Sequence, residues 1–249
     1  MEKTKNNIKE KIKISVRNIL LDALKDYEGA PLILPYDEIF LKEILFEKDN
    51  ENNYHFINEL EEVYRKISFL NIPFNNVIVA QKDLSNYHDI FIRPTTIGKK
   101  SLYGTICKNV TFFGCFDNVD VKFADFTGSI NTNINVQRIK NKSLYGTICN
   151  SVNFIRGFNH VDIRYANFTN SKNARINPEK IIMKSLKGTI AKDVEFMGSF
   201  IGTDLRETDF TGSKEAYICL INVKYDEQTN FTDTNIEEKP KTKKRSYNE

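Results

Sequence analysis

Two carboxylate columns recur at a spacing of 42 residues. Asp120, Asp162 and Asp204 form one; Asp125, Asn167 and Asp209 form the other. Paired carboxylates can act as general acid and base. Repetition argues against that here, because a catalytic centre needs one distinctive constellation and these residues return in every block. Each Asp is instead expected to accept local backbone N–H groups at a turn. The three histidines, His55, His88 and His160, are not spaced to pair with a nucleophile or a metal ligand, which argues against a hydrolytic triad. No Gly-rich phosphate loop occurs. The sequence predicts no catalytic residue, no cofactor site and no metal site.

Cations stack at the same period, as Lys122/Arg164/Arg206 and Lys100/Lys142/Lys184. If equivalent positions lie two strand spacings apart, roughly 10 Å, such a stripe could track phosphates. Lys122, Arg164 and Arg206 are therefore the candidate partner-binding column. Two features favour an ordinary solvated ladder. The adjoining Asp column can neutralise the charge, and the interleaved aromatics are read as inward centres, unable to stack on bases. The four cysteines, at 107, 115, 149 and 219, lack CxxC spacing. Ala191 stands where Cys107 and Cys149 do, and Gly157 and Ser199 where Cys115 does. Packing, not metal binding or disulfide formation, is expected of them.

The element that must position these columns is the repeat itself. Lys100-Ser101-Leu102 returns as Lys142-Ser143-Leu144 and Lys184-Ser185-Leu186. Asp125-Phe126-Thr127-Gly128-Ser129 returns at 167 and 209. Phe74/Phe116/Phe158/Phe200, Val79/Val121/Ile163/Leu205 and Leu84/Phe126/Phe168/Phe210 extend the alignment back to about residue 70. Within a block, the apolar centres Ile134, Ile139, Leu144, Cys149, Phe154, Phe158, Ile163 and Phe168 fall mostly five apart. A longer step then leads to Ile176. Helical periodicity does not generate fives, and the Val, Ile, Phe, Thr and Asn content suits short strands and turns. HEAT, armadillo and WD40 repeats share the block length. Gly and β-branched residues argue against the first two, and missing Gly-His and Trp-Asp marks argue against the third.

This grammar resembles the pentapeptide-repeat family, most closely at Ala124-Asp125-Phe126-Thr127-Gly128 and Ala166-Asn167-Phe168-Thr169-Asn170. The resemblance covers about residues 71–234 and is degenerate, with polar residues such as Gln137 and Lys142 two places before a centre. It implies a mainly β fold: a right-handed quadrilateral β-helix with four faces per coil. Two coils per block are expected, with a three-residue bulge on one face at the Gly/Asn-Ser turn.

Ahead of the solenoid, residues 1–70 read as an α-helical N-terminal cap or docking domain. Ile8, Ile12, Val16, Ile19, Leu20 and Leu24 share one helical face over residues 7–26. A second segment holds Ile39, Phe40, Ile44 and Leu45. A third helix is expected through Phe56, Ile57, Leu60, Val63, Tyr64 and Ile67, after a loop at 49–53. A cap is needed because an open coil recruits other chains; the same stripe could form a homodimer. Residues 235–249, with Lys239 to Arg245, read as a basic disordered tail.

No apolar run approaches the length of a membrane span, and the charged N-terminus lacks a signal-peptide core. A cytoplasmic location is the expectation, with no membrane partner. Heavy use of Lys, Asn and Ile suits an AT-rich, bacterial genome. The expected function is a non-enzymatic protein–protein interaction scaffold. Some proteins of the resembled family mimic duplex DNA and modulate type II topoisomerases, which gives an alternative. Against it, residues 71–234 carry 20 basic and 16 acidic side chains, whereas a DNA mimic needs a negative surface. A third reading is direct nucleic-acid binding through the basic columns and tail.

Overall fold

The computed structural model describes residues 2–35, 37–214 and 216–236, with side chains from residue 6 onward. The basic tail expected at 235–249 lies outside the described residues, apart from Asn235 and Ile236. Helix α1 (Glu2–Leu24) leads to α2 (Glu38–Leu45), which is capped by Asp37 accepting the Phe40 N–H at 2.8 Å. Strands β1 (Phe46–Lys48) and β2 (Tyr54–Phe56) form an antiparallel hairpin. A 3-10 turn at 58–60 then precedes α3 (Glu61–Lys66).

Two sequence expectations need correction here. The third helix does not include Phe56, which lies in β2 opposite Phe46. The alternation of Tyr54, His55 and Phe56 fits a half-buried strand, and the two Phe rings meet edge to face at 5.1 Å. Nor does α1 bury one continuous stripe. Leu20 and Leu24 are buried and Val16 partly so, but Ile8, Ile12 and Ile19 are 55, 49 and 64% exposed. The reason is rotation: Lys9, Lys13 and Arg17 all reach Glu43 or the Ile44 carbonyl of α2, so the packed face is the one that carries Lys13, Leu20 and Leu24. With about 3.6 residues per turn, Ile8, Ile12 and Ile19 lie to one side of that face.

The head is tied together by side chains reaching helix ends. Arg17 Nε donates to the Ile44 carbonyl at 2.7 Å, and Lys66 Nζ donates to the Leu24 carbonyl at 2.7 Å. Arg17 satisfies a C-terminal carbonyl that has no helical partner, and Lys66 joins the Tyr27 N–H on the Leu24 carbonyl. At the centre sits Tyr64, fully buried, whose hydroxyl accepts the Ile57 N–H and donates to the Leu45 carbonyl. Burial pushes its phenol well above the usual value. Phe46, Phe56, Phe69 and Tyr87 surround it, with centroids 5.2–6.2 Å away.

Among the described residues beyond the head, the pairing is parallel, each segment meeting one about twenty residues earlier and one about twenty later. Asp83, Ile106, Asp125, Ile148, Asn167, Ile190, Asp209 and Asn230 form one file. Its steps alternate between 23 and 19 residues before a last step of 21, so that two steps make a 42-residue block. A second file contains the pairs Ser101–Asp120, Ser143–Asp162 and Ser185–Asp204. A third is held by the Asn118 and His160 N–H groups donating to Arg138 and Lys180.

The fourth file carries the two-residue strands. It pairs β3 (Phe91–Ile92) with β4 (Thr111–Phe112), β5 (Asn133–Ile134) with β6 (Asn153–Phe154), and β7 (Arg175–Ile176) with β8 (Glu195–Phe196). The last pair is β9 (Tyr217–Ile218) with β10 (Asn235–Ile236). In this file Ile130 pairs back with Thr111 while Asn133 pairs forward with Asn153, so the register jumps by three residues. The same jump recurs between Lys172 and Arg175 and between Lys214 and Tyr217.

Inside the files the apolar centres are buried: Phe116, Val121, Phe126, Ile134, Ile139 and Leu144 are all at most 4% exposed. Phe rings gather in equivalent trios, Phe112/Phe116/Phe126, Phe154/Phe158/Phe168 and Phe196/Phe200/Phe210. Thr105, Thr147 and Thr189 are buried beside them, each hydroxyl donating to a carbonyl at 2.9 Å. The files do not start at residue 71. Leu32 pairs with Ile67, Tyr54 with Val77 and Ser68 with His88, all in parallel, and one apolar cluster runs from Leu20 to Ile218. Among the described residues, no helix is long and apolar enough to cross a membrane.

Candidate interaction face

The file through Ser101, Asp120, Ser143, Asp162, Ser185 and Asp204 carries the predicted column. Asp120 Oδ1 accepts the N–H of Lys122, Asp162 that of Arg164 and Asp204 that of Arg206, at 3.2, 3.2 and 3.3 Å. Asp125, Asn167 and Asp209 likewise accept the N–H two residues ahead, at 2.8–2.9 Å. Every member of both carboxylate columns thus closes an Asx turn where the chain bends. The turn directs the next side chain outward.

Lys122, Arg164 and Arg206 are brought together in one outward column, and each meets its own Asp. The closest N···O distances are 3.9 Å for Lys122–Asp120, 2.8 Å for Arg164–Asp162 and 2.7 Å for Arg206–Asp204. Both arginines bind in the two-pronged manner, Nε to Oδ1 and Nη2 to Oδ2. The Arg206 guanidinium holds the Asp204 carboxyl below its ordinary value, and the Asp162 carboxylate raises Arg164. Lys187, in the same outward register, pairs with Glu207 at 3.2 Å. The column is internally neutralised.

The aromatics between these cations are not all inward, contrary to the sequence reading. Tyr103, Phe123, Tyr145 and Tyr165 lie on the outside, Phe123 at 45% and Tyr165 at 37% exposure. They form a continuous zigzag: Tyr103–Phe123, Phe123–Tyr145 and Tyr145–Tyr165 are each 5.3 Å between centroids, edge to face. Lys122 stands over Tyr103 at 5.7 Å, Arg164 over Tyr145 at 5.3 Å and Lys187 over Tyr165 at 5.8 Å. Backbone hydrogen bonds place Gly104 against Lys122, Phe123 against Tyr145, Gly146 against Arg164 and Tyr165 against Lys187. Tyrosine therefore follows the centre directly on one segment, as in Tyr103-Gly104, and the aromatic comes one place later on the segment paired with it, as in Lys122-Phe123.

Glycine makes the zigzag fit. A Cβ at Gly146 would lie 2.4 Å from the Phe123 ring and one at Gly188 2.2 Å from the Tyr165 ring. Phe123 and Tyr165 themselves adopt φ of 58° and 59°, a left-handed conformation that bulky side chains rarely take. The readable signal was the alternation of Tyr-Gly with cation-aromatic pairs along the repeat. Period alone does not reveal it, because it places the interleaved aromatics at inward centres.

The other reactive groups are dispersed. Cys107 and Cys149 are fully buried, and burial raises both thiols far above their usual value; Cys115 is exposed and Cys219 half-buried. His55 hydrogen-bonds Asp49 at 2.9 Å and holds that carboxyl far below its ordinary value, while His88 and His160 lie exposed on other turns. Among the described residues, no three His, Cys, Asp or Glu side chains are grouped to hold a metal ion. No family model matches the chain, and no curated protein matches it.

Proposed function

We propose that this chain is a non-enzymatic protein–protein interaction scaffold. Its body is read as a right-handed quadrilateral β-helix of the pentapeptide-repeat kind, with an α-helical N-terminal cap, working in the cytoplasm. The observation that carries the reading is the system of parallel files, in which one residue type returns at one place every second coil. Such a body holds outward side chains in fixed columns, and a repeat array uses surfaces of that kind to bind extended partners.

Two alternatives fare worse against the same geometry. A nucleic-acid interface draws its affinity from unneutralised cations, yet Lys122, Arg164 and Arg206 each face a carboxylate. A DNA mimic needs the opposite field, and the body is slightly basic. For the homodimer variant, the relevant surface is the exposed Ile8, Ile12 and Ile19 of α1.

The test is affinity capture of the tagged full chain from a bacterial lysate, with and without nuclease, followed by mass spectrometry. One protein retained after nuclease is the expected result. Recovery of only nuclease-sensitive material would overturn the scaffold in favour of nucleic-acid binding.

A further inference from the structure

Resting on the scaffold reading, we infer that the zigzag of Tyr103, Phe123, Tyr145 and Tyr165 is a docking groove for a proline-rich segment in polyproline II conformation. Four observations converge on that occupant. The first is the placing of exposed rings on corners that do not require them. Phe123 and Tyr165 occupy left-handed corners at φ of 58° and 59°, and the equivalent corners are taken by Gln81 at 62° and Glu207 at 59°. The corner belongs to the repeat, and the exposed ring is what distinguishes these two copies.

The second is pitch. Tyr103 and Tyr145 are equivalent residues two coils apart, as are Phe123 and Tyr165, so each pair repeats at about 9.6 Å, two strand spacings. A polyproline II helix repeats every three residues at about 3.1 Å each, or about 9.3 Å. A prolyl ring that meets one coil pair is followed by another that meets the next. The four rings span three coil steps, about 14 Å, the length of about five residues in that conformation.

The third is polarity. Polyproline II leaves its carbonyls unpaired and needs donors beside an aromatic floor. Among the described residues nothing in the chain hydrogen-bonds the Tyr103 or Tyr145 hydroxyl, and both stand at the same pitch as the rings. A depression of about 380 Å³ lies here, walled by Tyr103, Phe123 and Tyr145 together with the charged Lys122 and Asp162.

The fourth is charge. The cations over the rings are already matched by Asp120, Asp162 and Glu207, which suits a neutral ligand. Single-stranded nucleic acid fits less well, because its phosphates need unneutralised cations, and Lys122, Arg164 and Lys187 are each paired with a carboxylate.

The experiment titrates the full chain into fluorescein-labelled decaproline and, separately, labelled dT20, reading anisotropy at physiological salt. Decaproline is expected to bind with a micromolar Kd and dT20 not to bind. The double variant Phe123→Asn/Tyr165→Asn should weaken decaproline at least tenfold without lowering the melting temperature, since Asn tolerates the left-handed corners. Tyr103→Phe/Tyr145→Phe, which keeps the rings, should weaken it several-fold, and Ile155→Asn, on a different file, should not. No decaproline binding overturns the inference, as does binding indifferent to the double variant, or binding of dT20 alone. In the lysate experiment, a partner captured equally by the wild type and the double variant overturns the groove and leaves the scaffold reading intact. No captured protein from either removes the scaffold reading itself.

Discussion

The head and the files of this protein solve the same burial problem in opposite ways. In the head, one residue gathers many different neighbours: Tyr64 touches four aromatic rings and bridges Ile57 and Leu45 through its hydroxyl. In the body, small identical units repeat, each Phe trio and each buried Thr doing what its counterpart 42 residues away does. A hub concentrates stability in a few side chains, whereas a repeat spreads it along neighbouring units. The difference also places binding surfaces. A repeat can present a column, and a hub cannot.

The strongest way to break the comparison is at the hub. Tyr64→Ala removes a buried ring and strands a carbonyl and an N–H, and should cost about 4 kcal/mol in chemical denaturation. Hydrogen exchange should show β1, β2 and α3 losing protection while residues 140–200 keep theirs. Uniform loss along the chain would mean that head and body unfold as one unit.

A smaller effect is expected from a single copy of a repeated contact. Thr147→Val deletes one buried hydroxyl bond to the Val121 carbonyl and should cost about 1 kcal/mol. The equivalent Thr105→Val and Thr189→Val should agree with it closely. Unequal costs measured by urea unfolding would show that the copies are not energetically equivalent. The smallest effect belongs to the outer cation column. Arg164→Ala leaves the fold intact and should change stability by less than about 0.5 kcal/mol, measured by thermal melting. A large loss would make the ion pairs a structural element of the files.

Buried polar groups show where the copies diverge. Ser129 Oγ donates to the Phe126 carbonyl and lies 2.6 Å from Thr132 Oγ1. The counterparts of Thr132 are Ala174 and Ala216, and the Ser171 and Ser213 hydroxyls have no hydrogen-bond partner among the described residues. Losing one hydroxyl from the column removes the group that fixed its neighbour's rotamer.

Much of the body could be read from the chain. The buried centres, the 42-residue period, the three-residue step near Ser129 and the turn-closing role of Asp120, Asp162 and Asp204 depend on residue type and spacing, which are local. The head was harder to read. Tyr54, His55 and Phe56 carry apolar spacing compatible with a helix start, and only pairing with Phe46, Glu47 and Lys48 makes them a strand. For α1, the expected stripe is wide, and only the contacts of Lys9, Lys13 and Arg17 with α2 decide which edge of it is packed and which is left exposed.

The candidate face was half legible. Lys122, Arg164 and Arg206 align in the sequence, and so do the Asp residues that neutralise them. Period and composition by themselves determined which side chains recur and which are large and apolar, because each repeat carries that information internally. Only the tertiary structure decided that Tyr103, Phe123, Tyr145 and Tyr165 join into one exposed zigzag. Their ring contacts cross between paired segments some twenty residues apart, and the space that Phe123 and Tyr165 fill exists because Gly146 and Gly188 have no Cβ.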